Sequence, residues 1–178
     1  MTTVGAQRIT SPLVNSLEDT WAVIRRHHPE LPTVAFTLGS GTETTSSHRR
    51  GHFAADRWDT GAADLTHEVF IAAELLEAGA EAVLGTVLHE GAHALANSRG
   101  ISVTSRGGRY HNRRFAALAE EMGLAAESGV NGLADTTLTA PTRQLYAATL
   151  TRLARDLTAY RHGEPGAMGR GAGFTVQQ

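Results

Sequence analysis

The chain has 178 residues, 41% of them apolar, which is enough material for one domain around a single core. It contains no cysteine, which excludes disulfide frameworks, zinc ribbons, iron–sulfur clusters and thiol nucleophiles. A formal net charge of -2 argues against coating nucleic acid through overall charge, although a local basic patch remains open. No apolar run approaches the ~20 residues needed to cross a bilayer, and no signal-like segment opens the sequence, so we expect a soluble cytoplasmic protein without membrane contact.

The first part of the chain is predicted to contain one helix and three strands. Leu17, Trp21 and Ile24 recur at helical spacing and predict a helix over residues 15–28, which the prolines that follow would end. Short β-prone runs bounded by turn residues then predict strands. These are residues 34–38, 52–58 and 67–73, with a Thr/Ser/Arg loop at 42–50.

The second part of the chain is predicted to be mainly helical. Strong helix formers predict a helix from residue 80 to about 98, and Arg99-Gly100 supplies its stop signal. Amphipathic patterns predict further helices at 111–122 and 142–161. A few strands followed by packed helices favour an α+β domain, with a short mixed or antiparallel sheet packed against the helices, over a parallel βαβ array.

The domain organisation predicted from these elements is simple. Residues 1–12 form a flexible N-terminus, residues 13–162 form one domain, and residues 163–178 form a Gly-rich tail that we expect to be disordered. No internal repeat is evident. All the chemistry is therefore expected within a single unit.

The most informative motif is His-Glu-Gly-Ala-His at residues 89–93. It matches the H-E-x-x-H pattern, in which two His one helical turn apart project to the same side and can share one Zn²⁺. At ~100° per residue, a ridge of Leu side chains falls on one side of the predicted helix, while His89 and His93 fall on nearly the opposite side. The helix thus presents both imidazoles to a cleft, unless it is an exposed helix with two incidental surface His.

A catalytic Zn²⁺ takes three protein ligands and keeps one position for water, so a further His, Asp or Glu is needed. On the helix predicted at 111–122, His111 shares the inward stripe with Phe115, whereas Glu120 lies ~180° away. Glu121, ~80° from the stripe, is the weaker alternative. Three other His could approach the metal but lie at no spacing that predicts it: His48, His52 and His67.

The combined motifs resemble the SprT-like family of zinc metallopeptidases, which includes the Spartan proteases of DNA–protein crosslink repair. The resemblance extends over roughly residues 15–125 and rests on three segments: TVLHEGAHAL at 86–95, RGGRYHNRRF at 106–115 and AEEMGL at 119–124. In that family the motif helix gives two zinc ligands and the catalytic Glu, and a downstream His shortly before a Phe gives the third. Many relatives carry a Cys-based zinc ribbon after this core, and this chain does not.

The resemblance implies a small zincin-like domain with one Zn²⁺ per chain, held by His89, His93 and His111. The implied activity is zinc-dependent endopeptidase action on a polypeptide substrate. A metal-activated water would attack the peptide bond, with Glu90 as general base and then as proton donor to the leaving amine. No covalent intermediate is needed.

Further residues near the third ligand have candidate roles in substrate contact. Tyr110 or Arg109, which adjoin His111, could steady the developing oxyanion, although a surface contact explains them as well. The peptide would align with an exposed sheet edge, for which the strand at 67–73 is the first candidate unless it is buried.

An arginine cluster surrounds the third ligand and could meet a DNA backbone or an acidic substrate, although a solvated face explains it equally well. Its members are Arg106, Arg109, Arg113 and Arg114. The alternative function is a non-catalytic binding module, in which zinc holds the helices together and this Arg106–Arg114 cluster recognises DNA or a protein partner.

Overall fold

The computed structural model describes residues 8–44, 47–105 and 110–163. Several predictions concern other parts of the chain and lie outside the described residues: the N-terminal segment 1–7, Arg106, Arg109 and the Gly-rich end at 164–178. Within the described ranges, no helix has both the length and the apolar character needed to span a membrane.

Helix α1 (Thr10–His27) opens the fold and covers one side of the core. Its buried apolar side chains recur every three or four residues, which is the spacing that places them on one stripe. They are Leu13, Leu17, Trp21 and Ile24. The helix predicted at 15–28 is confirmed, and it begins several residues earlier than expected.

The first five strands are β1 (Val34–Gly39), β2 (Thr42–Thr44), β3 (Ser47–His48), β4 (Gly51–Trp58) and β5 (Thr66–Ala72). Strands β1, β5 and β4 form a mixed sheet in that order, with β5 parallel to β1 and antiparallel to β4. The three predicted strands are confirmed, whereas the predicted loop at 42–50 is wrong because β2 and β3 pair there.

Strand β5 lies in the centre of this sheet and cannot receive a substrate peptide. Both of its edges are occupied by neighbouring strands, and Val69 and Ile71 are fully buried. The sequence-based prediction that the strand at 67–73 offers an edge for a peptide is therefore wrong. The apolar run at 69–72, which made this strand easy to predict, is typical of a strand in the centre of a sheet.

Helix α2 (Gly79–Ser98) is the central element of the fold, and a short 3₁₀ turn (Leu75–Ala78) leads into it. Leu84, Leu88 and Leu95 are at most 1% exposed, so the predicted Leu ridge packs into the core. The helix predicted at 80–98 is confirmed. Its other face is left to carry the motif side chains.

A second, four-stranded sheet follows α2 and was not predicted. Its strands are β6 (Thr104–Ser105), β7 (Tyr110–His111), β8 (Leu124–Gly129) and β9 (Gly132–Leu138), in the order β6-β7-β9-β8. Strands β8 and β9 form an antiparallel hairpin, and β7 meets β9 at the single pair His111 and Gly132. Between its leucines the hairpin carries mostly small and polar residues, so it lacks the run of bulky β-branched and aromatic residues by which strands are recognised.

Helix α3 (Arg113–Glu121) lies between β7 and β8 and is shorter than the predicted helix at 111–122. Asn112 is its N-cap, and the side-chain oxygen of Asn112 accepts hydrogen bonds from the backbone N–H groups of Arg114 and Phe115. Because this cap starts the helix, His111 belongs to β7 and not to the helix. The predicted helical placement of His111 is wrong.

Two short helices, α4 (Ala140–Leu145) and α5 (Ala147–Asp156), end the described fold. A single helix predicted at 142–161 is wrong, since Tyr146 at φ -100° and ψ 20° interrupts it and no helix continues beyond Asp156 in the described part. Together, five α-helices and mixed sheets in the described ranges confirm the α+β class.

Gly123, in the turn after α3, is expected to be more sensitive to substitution than a glycine with a similar positive φ in open space. This residue has φ +87°, and a Cβ built on it would lie 2.2 Å from the Thr142 Oγ1, which is itself tied to the Gly123 carbonyl by a 2.6 Å hydrogen bond. We expect Gly123→Ala to lose about 1–3 kcal/mol more unfolding free energy than Gly79→Ala, because overpacking adds to backbone strain. Gly79 is the matched control, with φ +85° and nothing within 4 Å of its Cβ position. Equal losses in urea unfolding of the two variants would contradict this.

Candidate metal centre

The structure brings the three predicted metal ligands together. Helix α2 supplies His89 and His93 one turn apart, and β7 supplies His111. One ring nitrogen from each of the three lies within 4.8 Å of the others, and the Nε2 atoms of His93 and His111 are 3.0 Å apart. This is the only such group of three or more His and carboxylate side chains among the described residues.

His111 reaches the cluster from a strand, and the backbone fixes its position. Its N–H donates a 2.9 Å hydrogen bond to the Asn131 carbonyl at the tip of the β8–β9 hairpin. On the other side, His111 pairs with Thr104 of β6. The backbone that carries the third imidazole is thus held between two neighbouring strands. The sequence had instead placed His111 on the buried stripe of a helix.

A phenylalanine lies beneath all three imidazoles. The ring centroid of Phe115 is 4.4 Å from that of His111 and 4.7 Å from those of His89 and His93. Phe115 is fully buried on the first turn of α3. Its ring therefore fills the space that would otherwise let the three imidazoles move inward.

Burial keeps the three imidazoles neutral. Desolvation lowers the pKa of His89 to about 4 and the pKa of His93 to about 3, and neighbouring His residues add to both shifts. Desolvation also lowers the pKa of His111, against a smaller raising effect of the Asn131 backbone. Neutral imidazoles with free lone pairs are the form in which His binds metal.

The donor set fits a zinc ion. Two neutral Nε2 atoms at 3.0 Å must share a proton or a cation, because two facing lone pairs repel each other. Three imidazoles and an open fourth position are a known catalytic arrangement for Zn²⁺, with Zn–N distances of ~2.0–2.1 Å. The Nε2 atom of His111 is the one turned toward the cluster, because it lies 3.0 Å from the Nε2 of His93.

Glu90, which follows His89 on α2, carries a buried carboxyl and lines the same cleft as His89. It is 4% exposed, and desolvation raises its pKa to about 8, against the opposing effects of the Phe53 backbone N–H and the charge of Arg49. Such a pKa is typical of a group that exchanges a proton near neutral pH. The same α2 helix therefore carries two candidate ligands and one candidate base.

Sequence reasoning missed Gly51, the first residue of β4, which makes room for this carboxyl. A Cβ on Gly51 would lie 3.1 Å from the Glu90 Oε1, 2.8 Å from the Thr86 methyl group and 3.0 Å from the Phe70 carbonyl oxygen. Any side chain there would push against the carboxyl or the strand. Gly51 lies one residue before the strand predicted at 52–58, where a glycine is typical of a turn, so this close approach had no signal in the sequence.

A cleft of about 740 Å³ opens onto the motif helix. Thr86, His89 and Glu90 of α2 line its base, and residues 134–138 of β9 form one wall. Arg50 and Gly51 lie where β4 begins. Of the two motif His residues predicted to face a cleft, His89 lines this one, whereas His93 is not among its lining residues.

The alternative third ligand predicted at Glu121 is wrong. Its carboxylate is 2.7 Å from the guanidinium of Arg99, which also binds Glu30, and this exposed network lowers the pKa of both Glu residues. Glu120 is exposed on the same helix. Neither carboxylate belongs to the His cluster.

Two of the remaining His candidates also have other surroundings. His52 stacks on Phe70 at a centroid distance of 5.2 Å, and the Nδ1 of His67 is 3.0 Å from the backbone N–H of Asp56, which donates to it. Neither His52 nor His67 belongs to the cluster of His89, His93 and His111. The side chain of His48, on β3, lies outside the described part of the chain.

The residues predicted to contact substrate or DNA do not line the cleft in the described structure. Tyr110 adjoins His111 on β7, and its ring lies against Gly132, but Tyr110 is absent from the described residues that line the cleft. Arg109 lies outside the described residues. Arg113 and Arg114 are exposed on the first turn of α3.

Comparison of the chain with known protein families, with curated proteins and with solved structures found no match. Its function is therefore inferred from the chemistry of its own residues.

Proposed function

We propose that the chain is a zinc-dependent endopeptidase with a SprT-like, zincin-type centre, in which His89, His93 and His111 hold one Zn²⁺. The observation that carries this proposal is the convergence of three neutral imidazoles within 4.8 Å, beside a buried carboxyl that borders an open cleft. A structural zinc site would be closed by a fourth protein ligand, and the described residues supply only three.

His89, His93 and His111 would hold the zinc ion, which when bound would supply a water with a pKa near ~7 and a Lewis acid for a substrate carbonyl. Glu90 accepts the proton of the attacking water and passes it to the leaving amine. The Phe53 N–H holds the carboxylate in place, and a cation in the His cluster would lower the pKa of Glu90 again, in favour of the ionised form. Because water is the nucleophile, this mechanism needs no nucleophilic side chain.

The cleft suits a stretch of polypeptide. Its volume of about 740 Å³ is in the range of ligand clefts, and it is partly open to solvent. The exposed Arg113 and Arg114 could meet the DNA carrying a DNA-associated substrate, and they equally suit the alternative of a non-catalytic module that recognises DNA.

Metal analysis tests the centre directly. Purified chain exposed to zinc and dialysed is expected to retain one Zn²⁺ per chain, and His93→Ala is expected to retain almost none, because a site with two ligands binds zinc far more weakly. His52→Ala is the matched control, since that imidazole stacks on Phe70 outside the cluster. Equal zinc content in His93→Ala and the parent, measured by mass spectrometry, would rule out the proposed ligand set.

Hydrolysis tests the activity. The zinc-loaded chain is expected to cleave an unfolded protein such as reduced, alkylated casein, to stop when a chelator removes the metal and to resume when zinc returns. A zinc-binding parent that cuts no unfolded protein, with or without DNA, would leave the non-catalytic module as the better account.

A further inference from the structure

Thr136 of β9 contacts one of the candidate ligands. Its Oγ1 is 3.0 Å from the Nδ1 of His89, across a sequence separation of 47 residues. Thr136 is half-buried, and it lies on the wall of the cleft. Its neighbours Asp135 and Thr137 are exposed, so the alternation of the strand turns Thr136 alone among the three toward α2.

The same hairpin also holds a second ligand. The Asn131 carbonyl accepts from the His111 N–H, and the next residue, Gly132, has φ +76°. A Cβ on Gly132 would lie 2.3 Å from the His111 carbonyl oxygen, so only glycine permits this approach. The β8–β9 hairpin therefore fixes the backbone of one ligand and the ring of another.

A neutral imidazole carries its proton on one nitrogen and a lone pair on the other, and a metal can bind only the lone pair. If Nδ1 of His89 carries the proton and donates it to the Thr136 hydroxyl, Nε2 keeps the lone pair. The hydrogen bond also fixes the rotation of the ring. Partners of this kind typically alter metal affinity by about 10–100-fold when they are removed.

We propose that Thr136 is a positioning residue for the metal centre, which selects the Nε2 tautomer and the ring orientation of His89. This inference rests on the zinc site of the proposed function. It assigns a role in metal binding to a strand that lies far from the motif in the sequence.

The test compares three variants by zinc affinity, measured in competition with a chromophoric chelator. Thr136→Val removes the hydroxyl at nearly constant volume and is expected to bind zinc about 10–100-fold more weakly than the parent. Thr136→Ser keeps a hydroxyl and is expected to stay within a few-fold of the parent. Thr137→Val, the matched control, replaces the exposed neighbouring Thr and is expected to bind zinc as the parent does.

A second readout separates positioning from general loss of structure. Nitrogen NMR of the metal-free chain is expected to show His89 protonated at Nδ1 in the parent and as a mixture of tautomers in Thr136→Val. Unchanged zinc affinity in Thr136→Val, or weaker binding without a change of tautomer, would overturn the proposal while the zinc site stands. If the parent chain binds no zinc, the proposed zinc site itself is excluded.

Discussion

Replacing Glu90 by Gln is expected to slow peptide-bond hydrolysis by about 10²–10⁴-fold, which is the usual contribution of a positioned general base. Zinc should stay bound, because Glu90 is not among the three ligand side chains. The fold should also survive, since an amide oxygen can still accept the hydrogen bond that the Phe53 N–H donates to this buried position. The measurement is the cleavage rate of an unfolded protein at equal zinc content.

Glu81→Gln is the matched control for this experiment. Glu81 also lines the cleft, but its exposed carboxylate is paired with Arg143 at 2.8 Å, and its loss should change the rate by no more than a few-fold. Cleavage that continues undiminished in Glu90→Gln would exclude Glu90 as the base. DNA or partner binding that requires zinc but not Glu90, in a chain without hydrolytic activity, would support the non-catalytic module.

Phe115→Ala is expected to cost about 3–5 kcal/mol of unfolding free energy, the usual range for truncating a fully buried Phe. Besides this loss of stability, we expect an effect on zinc binding. The ring supports all three imidazoles at centroid distances of 4.4 to 4.7 Å, so its removal leaves a cavity directly beneath the metal cluster. We therefore expect zinc affinity to fall together with stability.

Two further variants separate these effects. Phe115→Leu keeps most of the buried volume and should remain folded with weakened zinc binding. Leu118→Ala, at a buried position one turn later on α3, should lose about 2–5 kcal/mol and retain zinc affinity when measured on the folded chain. Parent-like zinc affinity in both Phe115 variants would show that the ring fills the core without supporting the ligands.

The elements predicted correctly are those with a strong local apolar pattern. Helix α1 buries a regular stripe, β5 contains a short apolar run in the centre of a sheet, and α2 carries a Leu ridge opposite its two His. In each case the period of burial matches the period of the element. The motif on α2 could therefore be placed toward a cleft before the structure was known.

The features that escaped prediction depend on backbone pairing and helix capping, which leave little trace in the apolar pattern of the sequence. The β8–β9 hairpin is stabilised by pairing more than by side-chain pattern, so its small and polar residues gave no signal. The Asn112 cap moved His111 from a helix to a strand. Its imidazole still reaches the cluster because β7 is pinned to that hairpin, an outcome that helical phase could not have predicted.

The two ends of the described fold lie against each other. Ser16 on α1 donates a 3.2 Å hydrogen bond to Asp156 on α5, across 140 residues, and Asp19 and Arg152 form a second link 3.5 Å long. On a ribosome adding about 5–20 residues per second, α1 waits roughly 7–30 s for this partner to emerge. The side of α1 that α5 covers is thus exposed while the candidate metal centre is synthesised, and α1 can pack against α5 only after α5 has left the ribosome.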